Sequence, residues 1–270
     1  MTIAETFAAS RARGELALIP YLTAGFPNRT RFVEALLLVA ESGADIIEIG
    51  IPFSDPIADG PTIQRSSQIA LAGGTRLERV FEDVAALRLR QPLVLMSYLN
   101  PLLAFGRERL FAQMRTADVA GAIVPDLPVE ESDDWGAAAR EYGRDLVFLA
   151  APTSTGARLR EIGRRSRGFV YAVSLLGTTG ARQTMYDGLP GFLSRLRAAT
   201  SLPVAVGFGI SSPGQVGALR GLADGVVVGS RLVAALDAGE DLGALVRSLK
   251  TATRAENGTT EAQRHREKSE

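Results

Sequence analysis

No cysteine occurs among the 270 residues, which excludes a disulfide framework, a thiolate nucleophile and a cysteine-held metal. Histidine and lysine are nearly as scarce. The only histidine is His265, in a polar C-terminal stretch, and the only lysines are Lys250 and Lys268. Imidazole acid–base work, a histidine metal site and a Schiff-base lysine in the body of the chain are therefore not expected. Charge of one sign is lacking too: the formal net charge is zero, which gives no electrostatic reason to expect nucleic acid or an anionic membrane as partner. No apolar run approaches the roughly 18 residues of a membrane span, and Met1-Thr-Ile-Ala-Glu-Thr-Phe lacks the basic-then-apolar order of a signal peptide. A soluble, cytoplasmic enzyme is the expectation. Its chemistry must then come from carboxylates, tyrosines and backbone amides.

With 46% hydrophobic residues the chain can fill one large core. Apolar β-type runs recur at 16–22, 45–51, 93–99, 121–126, 146–151, 169–174, 204–208 and 225–228, with helix-period segments between them. Two such segments are 31–41, which Thr30 opens and Gly43 closes, and 77–87. Eight strand–helix units in one chain predict a parallel sheet with right-handed crossovers, closed as a single (β/α)8 TIM barrel over 1–254. An open doubly wound sheet is the alternative, disfavoured because its first-loop dinucleotide fingerprint is missing. Residues 255–270 are polar and aperiodic and read as a disordered tail. A weak internal echo joins Ser42-Gly-Ala-Asp-Ile-Ile-Glu48, Val119-Ala-Gly-Ala-Ile-Val124 and Leu222-Ala-Asp-Gly-Val-Val-Val228. Either true repetition or the common need of αβ turns for small residues explains it.

Glu48 breaks the apolar pattern of the second strand. Central strands of a parallel sheet are covered on both faces, so an acid there is costly unless it is paired or used in chemistry. Asp59 follows in the loop that leaves the same strand. Two acids at the carboxyl end of one strand suggest a proton-transfer site. The desolvated Glu48 is expected to titrate high and carry the proton, and Asp59, on a polar loop, to stay ionised. Ordinary roles are open to both, as a buried acid held by amides or an arginine and as a turn-forming Asp-Gly.

Glycine-bearing turns end the last two strands, at Gly207-Phe-Gly209 and Gly229-Ser230. Loops after strands 7 and 8, with a helix N-terminus, form the common phosphate site of this fold. Gly207, Phe208, Gly209, Gly229 and Ser230 are the expected cradle, and Gly180, after the sixth strand, could close over it. The plain alternative is that tight βα turns need glycine and that Ser230 is an N-cap.

Taken together, Glu48-Ile-Gly-Ile-Pro-Phe-Ser-Asp-Pro-Ile-Ala-Asp-Gly-Pro61 resembles the signature of the tryptophan synthase alpha subunit family. Pro125-Asp-Leu-Pro-Val-Glu-Glu131, Gly177-Thr-Thr-Gly180, Gly207-Phe-Gly-Ile-Ser211 and Gly229-Ser230 resemble further motifs of that family, in the family's order. The resemblance implies a lyase that splits indole-3-glycerol phosphate, by a retro-aldol reaction, into indole and glyceraldehyde 3-phosphate. Carried over by motif, Glu48 is the main acid–base residue, Asp59 partners the indole nitrogen, and Tyr171 lies near both. Tyr21, Met96, Tyr98 and Leu127 line the indole pocket, and Thr179 sits on the loop that reaches Asp59. The family's partner is a pyridoxal-phosphate β subunit, faced here by Asp55, Pro56 and Asn100 in an α2β2 complex. The resemblance implies no cofactor and no metal on this chain. Thr178 replaces the family's usual valine, and Leu175 and Leu176 precede it where some members carry a polar or basic residue. A stand-alone lyase releasing free indole, another sugar-phosphate barrel enzyme and a non-catalytic regulatory subunit are the competing readings.

Overall fold

The computed structural model describes residues 1–174 and 187–254. Nine parallel segments form one sheet: β1 Ala17–Thr23, β2 Ile47–Gly50, β3 Leu93–Met96, β4 Val119–Ile123, β5 Asp145–Val147, β6 Leu149–Ala150, β7 Val170–Val173, β8 Val204–Gly207 and β9 Gly225–Val228. The spatial order is β5-β4-β3-β2-β1-β9-β8-β7-β6. Its two ends are one continuous stretch of chain, since only Phe148 separates β5 from β6. β5 pairs with β4, β6 pairs with β7, and the Phe148 carbonyl accepts from the Tyr171 amide at 3.1 Å. The ring therefore closes as an eight-stave barrel with helices outside, as predicted. The fifth predicted strand turns from one neighbour to the other at Phe148 and is counted twice for that reason.

Nearly every strand side chain is buried, which explains why the strands read as continuous apolar runs rather than alternating ones. The predicted helix at 77–87 is found as Leu77–Leu87. The one before it starts earlier than expected, at Arg29, because Asn28 rather than Thr30 is its cap: the Asn28 side chain accepts from the Arg31 amide at 3.0 Å.

The end of the barrel opposite the strand C-termini is sealed by an element the sequence reading did not assign. Residues Ile3–Ala12 form a helix with a complete Thr2/Glu5 capping box. Its Ile3 and Phe7 are buried against Gly121, Gly168 and Gly225, where a Cβ would come within 3.1, 3.1 and 2.9 Å of these two side chains. Two of the glycines in the apparent repeat thus make room for this helix. What the first and third copies do share is an aspartate at the strand entrance: Asp45 accepts from the Leu18 amide and Asp224 from the Val204 amide. Lys250 lies at this end as well, 2.7 Å from Asp45 and 2.9 Å from Glu15, so the one described lysine is a structural cation.

Candidate active site

The site residues collect at the opposite rim, where the parallel strands end. Glu48 lies in β2, in register between Tyr21 of β1 and Val94 of β3. It is 2% exposed, and no residue among those described pairs with it; its Oε2 is fully buried without a hydrogen-bond partner. Of the two ordinary explanations for a buried acid, neither an amide nor an arginine is there among the described residues. Burial, assisted by the nearby charge of Asp59, pushes the Glu48 carboxyl up to about 8. At that value Glu48 is mostly protonated at pH 7, and having given up its proton it could take one back.

Asp59 departs from its expected setting. The loop that carries it folds inward, and Asp59 is buried rather than solvated, at 8% exposure. A turn bond from its amide to Pro56 (3.1 Å) and a bond from the Gln64 side chain to its carbonyl (2.8 Å) hold the backbone. Burial raises its carboxyl to about 6, while a hydrogen bond from the Tyr98 side chain works in the opposite direction. The predicted order survives for a different reason: both acids are desolvated, and among the described residues Tyr98 offsets this at Asp59 while none does so at Glu48.

Three tyrosines surround the pair. Tyr21 and Tyr171 are buried, and both are held far from ionising, first by desolvation and then by the charges of Glu48 and Asp59. These mutual effects place Tyr21, Glu48, Asp59, Tyr98 and Tyr171 in one cluster. Each of the first and last leans over a glycine in the next strand. A Cβ on Gly50 would lie 1.9 Å from the Tyr21 hydroxyl, and one on Gly207 would lie 2.0 Å from that of Tyr171. Gly207 therefore serves tyrosine packing as well as any phosphate, and Gly50 is a site residue that sequence reasoning missed. Its signal was a glycine ending a strand whose other residues, Glu48 apart, are apolar. Met96 ends β3, and Leu127 is buried in the loop after β4, beside Asp126, whose charge acts on Tyr98.

The proposed cradle forms the other side of the rim. Phe208 and Gly209 follow β8 with φ of 68° and 76°, the left-handed region that a phenylalanine seldom enters. The Ser174 hydroxyl donates to the Gly207 carbonyl at 2.8 Å and also meets that of Phe208, which holds the turn in this shape. Phe208 packs edge-on to Tyr171 at 5.6 Å. Gly229 precedes the helix Ser230–Ala238, whose N-terminus no side chain caps, so Ser230 is not acting as an N-cap. First-turn amides and the helix dipole are aimed at the mouth, as an anion requires. Thr179 and Gly180, with Leu175, Leu176 and Thr178, lie outside the described residues.

Among the described residues no group of three acidic, histidine or cysteine side chains could hold a metal, and no helix is long and apolar enough to cross a membrane. A buried acid whose Oε2 has no hydrogen-bond partner among the described residues, next to a second acid at the carboxyl rim of a closed barrel, is the arrangement of a barrel enzyme suited to carboxylate acid–base chemistry. Comparison with known proteins narrows this class. The model of the family described as tryptophan synthase alpha chain matches residues 7–264. A tryptophan synthase alpha chain of Roseiflexus sp. (strain RS-1) is 50% identical over 234 residues, 86% of this chain and 90% of its own. That of Geobacter sulfurreducens is 44% identical over 258 residues, 93% and 98% of the two chains. A solved chain of Mycobacterium tuberculosis tryptophan synthase superposes with a TM-score of 0.89 at 41% identity, covering 94% of this chain and 98% of its own. The chain belongs to the tryptophan synthase alpha chain family. It is a carbon–carbon lyase, and its reaction is the cleavage of indole-3-glycerol phosphate in tryptophan biosynthesis.

Proposed function

We propose that Glu48 carries the proton of this cleavage twice, with Asp59 as the fixed anion beside it. The bond between indole C3 and the glycerol carbon breaks only after C3 has gained a proton, because the ring then becomes an electron sink. Neutral Glu48 donates that proton, and the indolenine so formed carries positive charge near N1, opposite ionised Asp59. The Glu48 carboxylate next takes the proton of the adjacent glycerol hydroxyl. The C–C electron pair returns to the ring, indole leaves, the aldehyde forms, and Glu48 is neutral again. No external acid, base or cofactor enters the balance. The observation that carries this reading is the buried Glu48 carboxyl, whose Oε2 has no hydrogen-bond partner among the described residues.

Phosphate held by the amides at Gly209, Gly229 and Ser230 would fix the glycerol end. Tyr21, Met96, Leu127 and Tyr171 would enclose the ring and exclude water. Tyr171, packed against Phe208 and acted on by both acids, joins the two halves of the site.

Family members partner with a β subunit, and pyridoxal phosphate would belong to that partner. Asp55 and Asn100 are exposed on the rim and Pro56 is half-buried there; Ile57 and Leu103, in the same two segments, are 74% and 57% exposed. Large exposed apolar side chains beside the proposed contacts favour an α2β2 assembly in the cytoplasm over a stand-alone lyase. An indole-release assay on the purified chain, with and without a β subunit, tests this. Strong stimulation by the partner supports the channelled complex. Full activity alone supports the stand-alone lyase, and sugar-phosphate isomerisation without indole overturns both.

A further inference from the structure

Tyr98 is expected to line the indole pocket, yet its contacts run toward the catalytic loop. The side chain is 2% exposed. Its hydroxyl accepts from the Ala58 amide at 2.9 Å, one residue before Asp59, which brings it close enough to the Asp59 carboxyl to lower its titration. Its ring packs on Phe53 at 5.4 Å, so Tyr98 touches the loop near both ends.

The direction of the hydroxyl proton follows from valence. A phenol has one proton and two lone pairs, and an amide N–H can only donate. Once the Ala58 amide fills an acceptor position, the single proton is free for the carboxylate. A donor aimed at a buried carboxylate favours its ionised form, against the burial that disfavours it.

Tyr98 is itself anchored. It immediately precedes the helix Leu99–Phe105, and its side chain, turned to the catalytic loop, does not cap that helix. The cap comes from elsewhere: Asp126, in the loop after β4, accepts from the Leu99 amide at 2.8 Å. A second bond from the chain before it, Ser97 amide to the Ile123 carbonyl at 3.1 Å, ties the same segment to β4.

We propose that Tyr98 is a positioning residue, presenting its one proton to Asp59 under the direction of the Ala58 amide, and that Asp126 holds Tyr98 in place through the Leu99 amide. The proposal rests on the reading of Asp59 as the required anion. It assigns a task to Asp126, which the indole-pocket reading leaves without one.

The test compares kcat for indole release against pH in the full chain and in Tyr98→Phe, which keeps the ring on Phe53 and removes only the hydroxyl. The acid limb, set by Asp59, should move up by about one pH unit, since the anion loses a charge-assisted hydrogen bond. The rate loss should then be about fivefold at pH 6 and small at pH 8, with KM nearly unchanged. Asp126→Ala should shift the limb in the same direction, and Asp126→Asn, which retains an acceptor for the Leu99 amide, should restore it. A carbon-13 carboxyl titration of Asp59 in wild type and Tyr98→Phe reads the same shift without turnover. A rate loss equal at every pH, or a rise in KM alone, would make Tyr98 a pocket wall and overturn the proposal. Asp59→Asn separates the two failures. If the acid limb persists in that variant, the reading of Asp59 itself fails; if the limb disappears there but Tyr98→Phe leaves it in place, only the role of Tyr98 fails.

Discussion

Replacing Glu48 by Gln should stabilise the fold while disabling the enzyme, and the gain should grow with pH. In the unfolded chain the carboxyl has its ordinary value of 4.5, and in the fold it sits at about 8. Below pH 4.5 it is neutral in both states and costs nothing. As pH rises the unfolded chain releases the proton and the folded one keeps it, so stability falls until the folded group also ionises near pH 8. Each pH unit in that window is worth about 1.4 kcal/mol, so the native chain gives up about 3 kcal/mol by pH 7. Gln binds no proton and escapes the loss. Its buried amide carries a fixed desolvation cost of about 1–3 kcal/mol that does not change with pH. The slope is therefore the informative quantity. Urea unfolding of both proteins at pH 5, 6, 7 and 8 should show the variant gaining on the wild type by about 3 kcal/mol across the series. Parallel stability curves would refute the claim that Glu48 is dry and unpaired, because a hydrogen-bonded or solvated carboxyl would titrate near its ordinary value in both states.

Three other perturbations separate the parts of the site. Asp59→Asn should lower indole release by about a hundredfold, from loss of the anion facing N1, while glycerol 3-phosphate affinity by calorimetry stays within about twofold; lost phosphate binding would mean that the residue has been misplaced. Gly229→Asp should abolish glycerol 3-phosphate binding through charge alone, since a Cβ there meets only Tyr21 at an ordinary 3.4 Å. Unchanged calorimetric affinity in that variant would remove Gly229 from the cradle. Gly50→Ala should destabilise by about 1–3 kcal/mol in thermal or urea unfolding and lower kcat, because the new methyl displaces the Tyr21 ring. A wild-type melting curve would show that the ring moves aside at no cost.

The barrel was legible because β/α barrels write their strands as separate apolar runs, and the seven unbroken strands lie where those runs fall. The run at 146–151 gave no sign of dividing at Phe148, since a change of pairing partner alters neither hydrophobicity nor period. The N-terminal helix went unassigned because its buried residues, Ile3, Phe7 and their small neighbours, form too short a stripe to stand out. At the site, Glu48 was conspicuous as a lone acid in an apolar strand, and the structure adds that nothing among the described residues pairs with it. Asp59 was misjudged in its surroundings: local composition describes a loop as polar, but not whether it folds over the barrel mouth. Gly50 and Gly207 show the same limit. Which tyrosine a glycine must accommodate is settled by the register of β1 against β2 and β7 against β8, and register is absent from a single sequence.

The most direct measurement of the central claim is single-turnover indole release by Glu48→Gln, with substrate affinity determined in parallel. An amide occupies the same space but cannot cycle a proton, so the rate should fall by about a hundredfold or more with affinity retained. Indole release at the wild-type rate would contradict the account, because no other group among the described residues is a neutral acid at that position.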